Sequence, residues 1–113
     1  MSLPFRYRKL GYAALTVTDL ARSLHFYRDL LGLELVEQRD GIAFLRCSRD
    51  HHNLVLHQGP APGLKRVGWE LESQVDADKA FAHFEALGLA PRRVDKAEAQ
   101  ALRQGPGFRV RLP

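Results

Sequence analysis

The chain has 113 residues, 45% hydrophobic and 27% charged, proportions of a globular protein that exclude disordered, collagen-like and low-complexity classes. At 12.8 kDa it can bury one core, which excludes a multidomain machine. Lys and Arg number 17 against 13 acidic residues, a net charge of +4 that favours anionic partners without naming one.

The single cysteine, Cys47, can form no internal disulfide. Its place at the end of the apolar run 42–47 predicts a packed thiol and a reducing, cytoplasmic setting. No apolar segment follows the Arg-rich start Met1 to Lys9, and no stretch approaches the roughly 20 apolar residues of a bilayer span, so no membrane partner is expected.

Tyr12 to Val17 reads as a strand with Ala13, Leu15 and Val17 on one face. Thr18-Asp19 offers a capping oxygen, and Leu20, Leu24, Tyr27 and Leu31 recur at helical spacing until Gly32 ends the helix. Leu33 to Gln38 and Ile42 to Cys47 form a hairpin about Asp40-Gly41, where glycine tolerates positive φ. A turn at 48–50 leads into a strand over His52 to His57, closed by Gly59-Pro60-Ala61-Pro62-Gly63. The pattern then restarts. Val67, Trp69 and Leu71 alternate as core positions of a strand, with Trp69 anchoring a helix–sheet interface. Asp76 offers a cap, and Ala77, Ala80, Phe81, Phe84 and Leu87 line one side of a helix ended by Gly88.

Gly32 and Gly88 fall 56 positions apart, and the two first strands repeat at a similar interval, which points to a duplicated unit. The expected fold class is α+β: two βαβββ modules, 9–58 and 65–113, forming a cupped mixed sheet with helices outside. The whole of 1–113 reads as a single domain and a fragment of a longer chain. In the second module 90–95 can be a strand, 96–103 a short helix or loop, and Phe108 to Leu112 a third strand with Phe108, Val110 and Leu112 on one face. The second module thus lacks its last strand, which predicts an open edge, pairing with another chain, and a homodimer or higher oligomer.

His51, His52 and His57 raise the question of a metal site. In a straight strand His51 and His57 share one face about 20 Å apart while His52 points away, so packed or solvated imidazoles are the expectation and no metal is assigned. Tyr12 and Arg66 are on the face opposite the helix-covered one, with His52 a further cup-lining candidate. There Arg66 could hold an anion and Tyr12 donate a hydrogen bond, which would suit a small aromatic ligand. Arg92, Arg93, Lys96, Arg103, Arg109 and Arg111 make the end of the chain basic. No nucleic-acid motif accompanies them, and alternation of arginines with apolar residues fits a half-exposed strand, so no nucleic-acid partner is expected.

The block from Leu10 to Leu33, with its Asp19-Leu20, Ser23-Leu24, Phe26-Tyr27 and Leu31-Gly32 pairs, resembles the opening module of the vicinal oxygen chelate superfamily. Phe44 to Cys47, Asp50 to Leu56 and Val67 to Leu71 make the resemblance closer to extradiol, catechol 2,3-type dioxygenases than to glyoxalases. The resemblance implies a cup holding iron(II) through two histidines and a glutamate, a facial triad with open positions for catecholate and dioxygen. At the implied histidine positions this chain has Tyr12 and Arg66, and the implied glutamate would fall beyond Pro113. The larger extradiol dioxygenases hold iron only in their C-terminal domain. The resemblance therefore implies a non-catalytic N-terminal domain with no cofactor of its own, a C-terminal catalytic domain as partner, and iron(II) in the parent enzyme alone. It also makes His52 a weak catalytic candidate, since the second histidine of an Asp-His-His pattern serves as acid/base near the iron. Two alternatives stay open: a dimeric glyoxalase- or dioxygenase-like metalloenzyme, and a metal-free module of the drug-resistance type that binds small aromatic compounds.

Overall fold

A computed structural model describes residues 3–111, which fall into two compact units, 9–70 and 3–8 together with 71–111. Unit 9–70 holds a five-stranded sheet in the order β2-β3-β4-β1-β5, made of β1 (Tyr7–Val17), β2 (Glu34–Arg39), β3 (Ile42–Arg46), β4 (Leu54–Gln58) and β5 (Gly63–Leu71). β1 and β5 run on into the other unit. The sheet is mixed: β1 pairs parallel with β4, placing Ala14 opposite Val55, while β2–β3 and β3–β4 are antiparallel. The tight turn of the hairpin has positive φ at both Asp40 and Gly41, +50° and +75°, the backbone that matches strand twist.

Period-two alternation sorts the side chains into two layers. Leu15, Val17, Ala43, Leu45, Leu54 and Leu56 pack with Leu20, Leu24 and Tyr27 on the helix side. Ala14, Phe44 and Val55 are buried on the other side with Tyr12 and Ile42 against them. Helix α1 (Leu20–Leu24) begins at Asp19, whose carboxylate accepts from Arg22 N at 3.1 Å. Gln58 at the end of β4 accepts from Leu20 N at 2.8 Å and donates to the Thr18 carbonyl, tying the helix entrance to the sheet.

The helix widens into a π-helical turn over His25–Leu30, where Leu31 N donates to Phe26 O at 2.9 Å. The wider turn changes the angular phase of the later side chains. Leu31, expected in the buried stripe, is 56% exposed, whereas Tyr27 stays packed. Gly32 at φ +84° then ends the helix.

Several other positions differ from expectation. Val67 and Trp69 are exposed, at 38% and 62%. The helical cover of this unit lies over β1, β2, β3 and β4, and no β5 residue joins its core; alternation identified the strand but not what covers it. Cys47 is exposed because β3 ends at Arg46 and the chain turns outward, with Cys47 N held by Asn53 Oδ1 at 2.8 Å. His52 and Asn53 belong to that turn and not to β4.

In the second unit, α2 (Gln74–Ala86) is capped by Ser73, not Asp76: Ser73 Oγ accepts from Asp76 N at 3.1 Å, and the Asp76 carboxylate accepts from Ser73 Oγ at 2.7 Å and from Arg6 N at 3.1 Å. The Ser73 hydroxyl thus caps the helix while donating to the side chain of the residue it caps. Ala80 is buried, Phe81 and Phe84 are half-buried, and Leu87, expected on the same side, is 61% exposed. Phe5, 3% exposed, meets Phe84 and His83 edge-on at 5.6 and 5.7 Å, and Phe81 meets Phe108 at 5.4 Å. Beyond Gly88, β6 (Arg92–Arg93) pairs antiparallel with β7 (Phe108–Arg109), and α3 (Lys96–Ala101) lies between them in sequence. Arg92 and Arg109 both pair with Glu98, and Arg93 stacks over Phe81 at 4.1 Å. Leu112 of the expected third strand lies outside the described residues, among which no strand follows β7.

The α+β class with βαβββ-like modules is therefore present, with β5, the first strand of the second module, joined to the first module's sheet and β6–β7 in a small sheet of their own. Among the described residues no helix is long and apolar enough to cross a membrane.

Full burial of Phe44 predicts that Phe44→Ala lowers stability by about 3–5 kcal/mol through lost burial and a cavity. Leu31→Ala should change it by less than about 0.5 kcal/mol, since that side chain is already in water. Urea unfolding followed by circular dichroism checks both.

Candidate functional site

On the sheet face opposite α1, three strands each contribute one polar side chain to a hydrogen-bonded set. Arg66 of β5 donates from Nε to the Tyr12 hydroxyl of β1 at 3.1 Å and from Nη2 to Nε2 of His57 on β4 at 3.1 Å. The guanidinium carbon lies 5.7 Å from the Tyr12 ring centroid. Because Arg66 can only donate, His57 Nε2 is the acceptor and the His57 proton sits on Nδ1.

A second group adjoins the first. The His52 ring packs edge-on against Tyr12 at 4.9 Å and Phe44 at 5.2 Å, and His52 is 7% exposed. Its Nδ1 lies 3.0 Å from Nδ1 of His51, whose Nε2 is 3.6 Å from Glu37 Oε1. One of the two facing Nδ1 atoms carries a proton and the other accepts it. The parity expectation for His51 and His52 is thereby corrected: both rings reach Phe44. The cause is the turn. Asn53 N donates to Leu45 O at 2.8 Å, Asn53 Oδ1 accepts from Cys47 N, and Lys9 Nζ grips Asp50 at 2.6 Å, so 50–53 is not extended chain and does not alternate.

Space for the Tyr12 ring comes from Gly68. A Cβ at this position of β5 would fall inside the ring, against Cε1, Cδ1 and Cζ. The glycine is required by close approach, a use that strand glycines commonly serve.

The imidazoles of buried His52 and half-exposed His57 are both held neutral. Burial, reinforced by the charges of His51 and Arg66, pushes His52 down to about 4, and burial with Arg66 and Lys65 beside it pushes His57 down to about 4. At neutral pH His52 is unprotonated and has no imidazolium proton to give.

The donor set does not fit an iron(II) facial triad. Tyr12 and Arg66 stand at the positions the resemblance assigns to histidine ligands, and they are bonded to each other. A guanidinium is a permanent cation with no lone pair to offer a metal. Among the described residues no three His, Cys, Asp or Glu side chains cluster as metal ligands. Sequence reasoning singled out Tyr12, His52 and Arg66, which the structure brings together. It set His57 aside and missed Glu37 and Gly68. The signal for His57 was its alternation with Val55, which shares its side of β4.

Unfolded histidines titrate near 6.5 and these two near 4, so between those values the unfolded chain binds more protons and stability falls as pH falls. Lowering pH from 7 to 4.5 should remove on the order of 2 kcal/mol through His52 and less through half-exposed His57. Urea midpoints measured across this range check the slope, and His52→Gln should flatten it; an equal slope in a folded variant would exclude His52 as its source.

Comparison with known proteins places this geometry. Residues 9–103 match the family described as the glyoxalase/bleomycin resistance protein/dioxygenase superfamily. The chain is 32% identical over 96 residues to the biphenyl-2,3-diol 1,2-dioxygenase of Sphingomonas paucimobilis, covering 84% of this chain and 32% of that one. It is 31% identical over 107 residues to the manganese-dependent 2,3-dihydroxybiphenyl 1,2-dioxygenase of Geobacillus genomosp. 3, covering 93% and 33%. Among solved structures, homoprotocatechuate 2,3-dioxygenase from Brevibacterium fuscum, in complex with 3,4-dihydroxyphenylacetate, superposes with a TM-score of 0.75 at 37% identity, over 82% of this chain and 30% of that one. The chain thus spans about a third of the length of the curated relatives it matches. It belongs to the glyoxalase/bleomycin resistance protein/dioxygenase superfamily, and within it resembles the N-terminal domain of a two-domain extradiol dioxygenase.

Proposed function

We propose that this chain is a non-catalytic domain of an extradiol dioxygenase, acting by packing on and shaping a separate domain that holds iron(II) and opens a catecholic ring. The observation that carries this reading is the Arg66–Tyr12 hydrogen bond at 3.1 Å. It sets a fixed positive charge and a phenol where ring cleavage needs two neutral metal-binding imidazoles. Identity of 31–32% to two dihydroxybiphenyl-type dioxygenases three times as long supports the same assignment. The partner in this reading is the metal-bearing remainder of the parent protein, in the cytoplasm, and a second copy of the chain takes its place when the domain stands alone.

The division of labour follows from chemistry. Both catecholate oxygens and dioxygen must share one metal with open positions, and a domain whose corresponding face is occupied by a guanidinium supplies none. What it supplies is a rigid sheet with buried Ala14, Phe44 and Val55 on that face and a leucine core beneath its helix.

The test is ring cleavage by the purified chain incubated anaerobically with ferrous or manganous ion, then supplied with 2,3-dihydroxybiphenyl and air. The expected result is no ring-opened product by absorbance and no stoichiometric metal after desalting. Turnover accompanied by one bound metal per chain would overturn the assignment.

A further inference from the structure

The five-stranded sheet has two outer edges, β2 and β5. Exposed strand edges invite pairing with another chain, and proteins blunt them with short length, charge or bulges. β2 is blunted in this way. It has six residues, three of them charged (Glu34, Glu37 and Arg39), and its register shifts between Leu35 and Glu37, an irregularity that disrupts a ladder. β5 has nine residues, and its middle, Val67-Gly68-Trp69, carries no charge. Among the described residues the sheet has no further strand beyond it.

One close approach gives the backbone direction of β5. The Gly68 carbonyl oxygen lies 3.1 Å from where a Cβ of Gly11 would stand on β1, so that carbonyl faces β1. The peptide groups of successive residues point to opposite sides of a strand, which turns those of Val67 and Trp69 to the outer edge. Side chains alternate as well. Arg66, Gly68 and Glu70 share the face with Tyr12, while Val67 and Trp69, 38% and 62% exposed, share the other. The outer edge thus presents strand hydrogen-bonding groups beside apolar side chains, which suits an extended segment of chain.

We propose that the outer edge of β5 pairs antiparallel with the same edge of a second copy, about a two-fold axis at Gly68, so that Val67 of each chain lies opposite Trp69 of the other. Register selects this self-pairing. Val67 and Trp69 both direct N–H and C=O outward, so opposite one another they exchange two hydrogen bonds, and a β-branched residue facing an aromatic one is a favourable cross-strand pair. On the other face Arg66 stands opposite Glu70 of the second copy. Gly68 stands opposite Gly68, with no side chain to crowd the Tyr12 ring. Moving the axis to Val67 or Trp69 takes Arg66 out of line with Glu70, and moving it to Arg66 or Glu70 sets like charges opposite, which is destabilising. With the axis at Gly68 the two Lys65 positions are about 20 Å apart. The proposal rests on the reading that a second copy is the partner of the domain standing alone, and it names the edge and register through which that copy binds.

The test uses the full chain at neutral pH in sedimentation velocity, and a mixed sample of carbon-13-labelled and unlabelled chain in filtered nuclear Overhauser spectra. The expected result is a concentration-dependent dimer with intermolecular contacts between the Val67 methyl groups and the Trp69 indole. Exchange of the Val67 and Trp69 amide protons should slow by about tenfold or more from dilute monomer to dimer. Val67→Pro removes an outward N–H without touching the bonds to β1, and should raise the dissociation constant about tenfold or more. Trp69→Lys places a charge on the edge; it should have the same effect and serves as the test should the proline variant not fold. A dimer without those contacts, or one undiminished in either folded variant, would overturn this interface and leave the second-copy reading standing. A monomer at every concentration would overturn both, and protection of the Val67 and Trp69 amides in that monomer would assign the edge to a segment of the same chain.

Discussion

The face of the sheet away from α1 is organised by one hydrogen-bonded cation. Arg66 reaches from β5 to Tyr12 on β1 and to His57 on β4, so three strands contribute to one contact built around a guanidinium charge. Much of the surrounding chemistry derives from that charge. His57 must present a lone pair to it, which fixes the imidazole as neutral, and its field adds to burial in keeping His52 unprotonated. The Tyr12 ring approaches β5 at position 68, where it has room because that residue has no side chain.

In a metal-bearing relative of this architecture, a bound ion would join the strands and could be exchanged or lost. Here the cation is covalently part of the chain. A guanidinium resembles a metal ion in being positive and in drawing lone pairs from several strands toward it, but it offers hydrogen bonds and no orbitals for redox chemistry. The superfamily assignment and the mismatch of the donor set are therefore compatible: the scaffold is shared, and at two positions where the resemblance implies imidazoles this chain carries a phenol and a guanidinium bonded to each other.

Much of the fold was legible because it rests on local rules. The Asp40-Gly41 turn, the Asp19 cap, the stops at Gly32 and Gly88 and the two-layer alternation of β1 each depend on a few neighbouring residues. The misreadings share another cause: they needed information about what lies over a surface or how a turn is tied. Trp69 alternates like a core residue, yet no helix of its unit covers β5. Cys47 continues an apolar run, yet the strand ends one residue earlier because Asn53 claims its backbone N–H. Tyr12 and Arg66 came to notice through strand phase together with family resemblance, whereas the Arg66–His57 bond depends on strand order, which single-strand periodicity does not encode.

The π-helical turn at His25–Leu30 behaves like one supernumerary residue accommodated within an otherwise ordinary helix. Its effect is angular: every side chain after it is rotated relative to the sheet, and Leu30 and Leu31 lie 65% and 56% exposed in consequence. A single-codon deletion inside that segment would wind the helix back to regular pitch and swing different leucines inward. The pattern of greasy and wet surface at this end of the molecule is thus governed by how many residues the segment contains as much as by which ones they are.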